Sequence, residues 1–295
     1  MHAWNQPILD SLAGRLERLP HALLVYGPRG IGKLALAERA AQLLLCEGKA
    51  RPCDVCDGCR WFLGGNHPDF RRIEPEAFWP EKPEKPSIVI KVEQVRELAD
   101  FLYIRSHRGR LRVALVQPAE DMNENAANAL LKGLEEPPAG AVFILVSHRP
   151  AQLLPTIRSR CVGIPVGIPP RKPALDWLTA QSVKDAERWL AYAGGAPLRA
   201  LDYAARGLAA LVPVDEREAL EPLAEALQKT ALDHALLAFG LPAKYGTTSS
   251  AVARERARAW LAFARQMGED RLLCRHPLNP RLFSSAMLAA MPGER

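Results

Sequence analysis

One short segment near the N-terminus narrows the fold more than anything else in the chain. The apolar run Ala22–Tyr26 breaks into Gly27-Pro28-Arg29-Gly30-Ile31-Gly32-Lys33, after which Leu34, Ala37, Ala41 and Leu44 recur at spacings of three and four. This is a buried strand followed by an amphipathic helix, and Gly27-x4-Gly32-Lys33 between them is most of a phosphate-binding loop. Its glycines, Gly30 included, let backbone N–H groups curl around phosphate oxygens. The helix N-terminus adds positive potential, and Lys33 is placed to reach the β and γ phosphates. The alternative is a glycine-rich turn that binds nothing.

The departures from the motif are as informative as the match. A hydroxyl for Mg²⁺ belongs directly after the lysine, where this chain has Leu34. A second magnesium group belongs at the end of a later apolar strand. Leu111–Val116 ends instead in Gln117, and the first acids to follow are Glu120 and Asp121. Magnesium contributes several kcal/mol at a transferring phosphate, and about 1.36 kcal/mol is tenfold in rate. A chain without both groups is expected to hydrolyse nucleotide at no useful rate. Its Mg²⁺ site is lost, while ATP binding through the loop and Lys33 stays open.

Further short apolar runs at Phe70–Ile73, Leu111–Val116, Ala141–Val146 and Val162–Val166 alternate with helical patterns. The helices include Val92, Val95, Leu98, Ala99 and Leu102 on one face, and Ala126–Leu134 ahead of Pro137-Pro138. Five such strands predict a parallel α/β sheet. Beyond Pro169-Pro170 the strand signals vanish. Short helices surround Gly194-Gly195, longer amphipathic helices run from about residue 213, and a turn-rich stretch spans 240–250. A length of 295 residues fits two or three domains. With 48% hydrophobic and 24% charged residues, wholesale disorder is excluded. The formal charge of +6 permits a nucleic-acid partner without requiring one. No apolar run is long enough to span a membrane, and Met1–Gln6 lacks a signal-peptide design, so a soluble cytoplasmic protein is expected.

Cys46, Cys53, Cys56 and Cys59 crowd into fourteen positions. Four thiolates satisfy tetrahedral Zn²⁺ completely and leave no open position, so the expected role is structural, in a segment with little core of its own. An iron–sulfur cluster and unligated thiols are the alternatives, though Arg60-Trp61-Phe62-Leu63 follow where a ferredoxin run needs another cysteine. His67 could replace Cys46 as fourth ligand, but Asn66-His67-Pro68-Asp69 reads as a turn. Cys161 and Cys274 read as small apolar residues.

Several stretches occur in a recognisable order. These are His21–Pro28, the four-cysteine insertion, Asn66–Asp69, Val92–Leu98, Asn128–Pro138 and Ile157-Arg158-Ser159-Arg160-Cys161. Together they resemble the bacterial clamp-loader branch of the AAA+ proteins, densely over residues 21–161 and thinly beyond about 200. The resemblance implies a Rossmann-like P-loop AAA+ domain over 1–167 with a zinc module inserted at about 46–60. A small helical lid at 168–208 and an all-α collar for oligomerisation at 209–295 would follow. The family's gamma and tau ATPase subunits carry Lys followed by Ser or Thr and an acidic magnesium motif, which this chain lacks. It therefore resembles a non-hydrolysing stator, beside gamma/tau and delta in a hetero-pentamer that loads the sliding clamp onto primer-template DNA for DNA polymerase III.

By the same resemblance Ser159-Arg160 matches the motif whose arginine enters a neighbour's ATP site, a fixed guanidinium offsetting charge on phosphate. Without it, Arg160 reads as a surface charge. Arg199 lies where the ATPases place a nucleotide-sensing arginine, but beside Pro197 it reads as a helix-surface residue. Arg105, Arg108, Arg110 and Arg112 form a basic cluster that either faces DNA phosphates or sits in a solvated loop. Two other readings remain: an active ATPase using Glu120 or Asp121, and a zinc-dependent nucleic-acid-binding module.

Overall fold

The computed structural model describes residues 1–81, 83–104, 111–246, 252–274 and 276–292. The chain divides into two compact units, Met1–Pro173 and Ala174–Arg295.

The first unit is built on five parallel strands, β1 (Ala22–Tyr26), β2 (Phe70–Ile73), β3 (Arg112–Val116), β4 (Ala141–Ser147) and β5 (Val162–Pro165), in the order β2-β3-β4-β1-β5. The continuous apolar runs are explained by burial on both faces: every residue of β3 and β4 is buried. On one face Leu24, Ala114, Val116, Phe143 and Leu145 meet α4 (Val92–Tyr103) and α5 (Glu124–Glu135). The other face is covered by α2 (Lys33–Leu45), which packs on β1, β3 and β4. A short α1 (Gln6–Ala13) lies against α2, and α3 (Asp57–Leu63) holds Cys59, with Cys56 directly before it. Helix α5 starts two residues earlier than its apolar pattern because Asn123 caps it, its side chain accepting from the Ala126 N–H at 2.8 Å.

Parallel strands all finish at one edge of the sheet. The segments after β1, β3 and β4 therefore gather there, which brings Gly27–Gly32, Gln117–Asp121 and His148-Arg149 together from distant parts of the sequence. A last helix, α6 (Pro155–Arg160), leads into β5.

The second unit is helical in its described residues. It opens within α7 (Arg171–Ala180) and continues through α8 (Ala186–Tyr192), α9 (Pro197–Arg206), α10 (Leu220–Ala238), α11 (Ala257–Leu273) and α12 (Pro280–Ala289). Leu220, Leu223, Leu227, Ala231 and Ala235 make the apolar stripe of α10 and pack on Trp260, Phe263, Met267 and Met287. Inside this core the His234 ring stacks on Trp260 at 4.3 Å.

Candidate functional site

The loop between β1 and α2 has the backbone its glycines allow. Gly27, Gly30 and Gly32 have φ of 151°, 78° and 85°. A Cβ on Gly27 would lie 2.1 Å from the Val166 carbonyl oxygen, so no other residue fits there without moving β5's exit. Lys33 begins α2 and is almost wholly buried. Its ammonium donates to the Pro28 carbonyl within the same loop. Burial pushes the Lys33 pKa down to about 8, with the Glu120 carboxylate acting in the opposite direction.

The N-terminus closes on this loop. Trp4 Nε1 donates to the Ile31 carbonyl at 3.0 Å, and Asn5 Nδ2 donates to the Ile31 and Gly32 carbonyls at 3.1 and 3.2 Å. The His2 ring stacks on Trp4 and lies so near Gly32 that a Cβ there would come within 2.5 Å of it. Sequence patterns gave no sign of this contact, because its partners are 26 and 27 residues apart and follow no helical or strand period.

The groups around the loop are engaged with one another. Leu34 is half-buried and offers no oxygen. Gln117, at the end of β3, donates to Glu74 Oε2 at 2.5 Å. One Glu120 oxygen accepts from the His148 N–H at 3.0 Å, and Arg149 stands 3.9 Å from Glu120 and 3.8 Å from Asp121. The two acids weighed as an unusual magnesium site thus share a fixed guanidinium contributed by the exit of β4.

The cysteine centre shows the opposite condition. Cys46 caps the end of α2, Cys56 caps the start of α3, Cys59 lies inside α3, and Cys53 sits between. The four sulfurs all lie within 4.8 Å of one another, with separations of 3.5, 3.9 and 4.0 Å for the pairs 46–53, 46–56 and 53–59. These are far longer than a disulfide. A tetrahedron with metal–sulfur bonds of about 2.3 Å has edges of about 3.8 Å. Backbone N–H groups of Glu47, Gly48, Cys53, Cys56 and Cys59 point at the sulfurs from 3.3 to 3.4 Å, as they would toward thiolates. The donor set fits a closed metal site. His67 is outside it: its Nδ1 accepts from the Asp69 N–H at 3.1 Å, the turn that the sequence suggested. Burial raises both remaining thiols, Cys161 and Cys274, to about 11.

These features have close counterparts among known proteins. The family described as "DNA polymerase III, delta subunit" matches residues 7–167, more than half of the chain. The chain is 44% identical to DNA polymerase III subunit delta' of Pseudomonas aeruginosa over 207 residues, 68% of this chain and 60% of that one. The Escherichia coli delta' subunit is 33% identical over 233 residues, covering 77% and 65%. The chain belongs to the DNA polymerase III delta-prime family. The tau subunit of Salmonella typhimurium is also similar, at 38% identity over 162 residues, 54% of this chain and 24% of that one. The chain spans less than two thirds of the length of these delta-prime relatives.

Within the family match, Ser159 and Arg160 end α6. Arg160 Nη2 pairs with Glu135 Oε1, the last residue of α5, at 2.6 Å, and its Nη1 donates to the Thr156 carbonyl. Both side chains are partly exposed, 34% for Arg160 and 49% for Glu135. Ser159 Oγ also donates to Thr156. Arg105, Arg108 and Arg110 lie outside the described residues. Arg112, grouped with them in the sequence, belongs elsewhere: it is buried in β3, 3.3 Å from Asp69, with its guanidinium 4.6 Å from the Phe101 ring centre. It supports the sheet and faces no solvent.

Arg199 also differs from its helix-surface reading. It ion-pairs with Glu225 of α10, and Lys229 reaches the same carboxylate at 2.8 Å. Burial alone would raise Glu225, but Arg199 and Lys229 outweigh it and hold the group at about 2. Lys229 also sits over Tyr192, 3.8 Å from the ring centre. Among the described residues no helix is long and apolar enough to cross a membrane.

Proposed function

We propose that this chain acts as the non-hydrolysing stator of a DNA polymerase III clamp loader, giving Arg160 to the ATP site of a neighbouring subunit while turning over no ATP itself. The observation that carries the reading is a phosphate loop whose lysine and neighbouring acids are already engaged within the chain. Lys33 is bound to Pro28, the Ile31 and Gly32 carbonyls are taken by Trp4 and Asn5, and Glu120 and Asp121 face Arg149. A nucleotide would have to draw the Lys33 ammonium away from Pro28. A divalent cation would have to enter beside a fixed positive charge, with neither Leu34 nor Gln117 able to hold it. The active-ATPase reading is disfavoured on the same grounds.

Donation of Arg160 is supported by energetics. Its present partner is an exposed carboxylate, and ion pairs of that kind are worth about 1 kcal/mol or less. Exchanging Glu135 for a phosphate group in trans therefore costs little. The all-thiolate donor set and its sulfur spacing favour zinc, which would tie the segment at about 46–60 to the end of α2. The core formed from Leu220 to Met287 favours a collar at 209–295, with 168–208 as a lid tied to it through Arg199 and Glu225. Partners in this reading are gamma/tau and delta, with the sliding clamp and primer-template DNA met through the assembly in the cytoplasm.

The test is steady-state ATP hydrolysis. The purified chain with Mg²⁺ is expected to show none. Turnover abolished by Lys33→Ala would overturn the stator reading. In the reconstituted assembly, Arg160→Ala is expected to lower hydrolysis by the neighbouring subunit about 10³-fold or more, with the chain still folded and incorporated.

A further inference from the structure

The cations on the surface of the first unit fall into two groups. Some are held in ion pairs: Arg39 with Asp54, Arg72 with Glu38 at 2.8 Å, Lys91 with Glu76 at 2.6 Å and Arg160 with Glu135. Arg15, Arg18, Lys49 and Arg51 are not. All four are exposed, none is within ion-pair distance of a carboxylate among the described residues, and all line one open trough of about 720 Å³ between the end of α1 and the loop after Cys46. Among the described side chains, Glu47 is the single acid in the trough wall. Even with Glu17 of the neighbouring turn counted, cations outnumber acids four to two.

The loop bearing Lys49 and Arg51 is held firmly. The Gly48 N–H bonds to Cys46 Sγ at 3.3 Å, the Cys53 N–H bonds to the same sulfur, and Arg51 Nε donates to the Gly48 carbonyl at 3.0 Å. The cysteine centre thereby fixes two cations opposite two others on the α1 side. We propose that this trough binds the phosphate backbone of nucleic acid. Four uncompensated cations along an open groove match a polyanion with evenly spaced charges. No aromatic side chain lines it and its apolar residues are Ala13 and Leu16, so it lacks the buried anchors on which protein–protein interfaces depend. The site is distinct from the phosphate loop and from Arg160, and it stands whether or not the chain is a stator.

The experiment follows binding of the full chain to a short labelled DNA duplex by fluorescence anisotropy across a salt series. Combined Arg15→Ala, Arg18→Ala, Lys49→Ala and Arg51→Ala is expected to weaken binding about tenfold or more and to reduce the slope of log K against log salt by about 4. The set Arg15→Lys, Arg18→Lys and Arg51→Lys, with Lys49 kept, retains both the charge and the slope. Failure of the wild-type chain to bind, or an unchanged slope in the alanine variant, overturns the proposal. So does stronger displacement by polyglutamate than by unlabelled DNA at equal charge, which would make an acidic protein segment the occupant. Metal content is measured on every variant. If the alanine variant loses metal, the lysine variant decides: a slope lost there, with metal retained, also overturns the proposal.

Discussion

The phosphate loop and the cysteine centre occupy opposite ends of the same helix and have met opposite fates. At the loop the glycine backbone is kept, while Lys33 is bonded to Pro28 and the nearby acids Glu120 and Asp121 face Arg149. At the cysteine centre four donors converge at ligand spacing, with backbone N–H groups supporting the sulfurs. A motif thus reports which backbone is present. Whether the site is available depends on what its polar groups are already bonded to.

The sharpest way to break this contrast is at the metal. Cys56→Ser removes one of four thiolates while leaving a hydroxyl able to cap α3, and is expected to lower unfolding stability by about 4 kcal/mol or more and to abolish stoichiometric metal binding. Denaturant unfolding with metal analysis checks it. An unchanged midpoint would mean that the cysteines carry no structural metal.

A smaller effect is expected at Lys33. Its folded pKa, about 8, lies below the unfolded value of 10.5. Between these limits the unfolded chain holds a proton that the folded chain has released, so stability rises with pH across that window and is lower below it. Lys33→Met removes the cost of burying the charge, up to about 3 kcal/mol at neutral pH, and flattens the rise between about pH 8 and 10.5. Unfolding curves at several pH values test this. A steep loss of stability in the variant would show that the ammonium is needed where it lies. Smallest is Asn5→Ala, which removes donors to two buried loop carbonyls and should cost about 1 kcal/mol. Titration with a fluorescent ATP analogue measures whether the variant gains affinity. If the wild-type chain already binds the analogue tightly, the N-terminus does not close the loop.

Much of the first unit was legible because its signals are local. The apolar runs that became β1 to β5 are continuous, the glycines sit between strand and helix, and the cysteines are neighbours in sequence. What was missed depends on pairing between distant positions. The contact of Glu120 with Arg149 exists only because parallel strands deliver their exits to one edge, and those of Trp4 and Asn5 with Ile31 and Gly32 because the turn ahead of α1 folds against the loop after β1. Arg112 appeared to belong to a basic cluster because a strand residue and a loop residue look alike until the strand's neighbours are known. Asp69 and Phe101 are what make it a core residue. The same holds for Arg199, whose partner Glu225 lies 26 residues further on.

Helix α2 runs thirteen residues from Lys33 to Leu45, a span of about 20 Å, with Cys46 directly after it. A rod clamped at its far end does not rely on its near end for its position. Sequence drift at the nucleotide loop could therefore proceed without unseating the helix on the sheet. On the stator reading proposed above, the cysteine clasp would let the nucleotide loop lose its chemistry without loss of the scaffold and of the surfaces it presents to others.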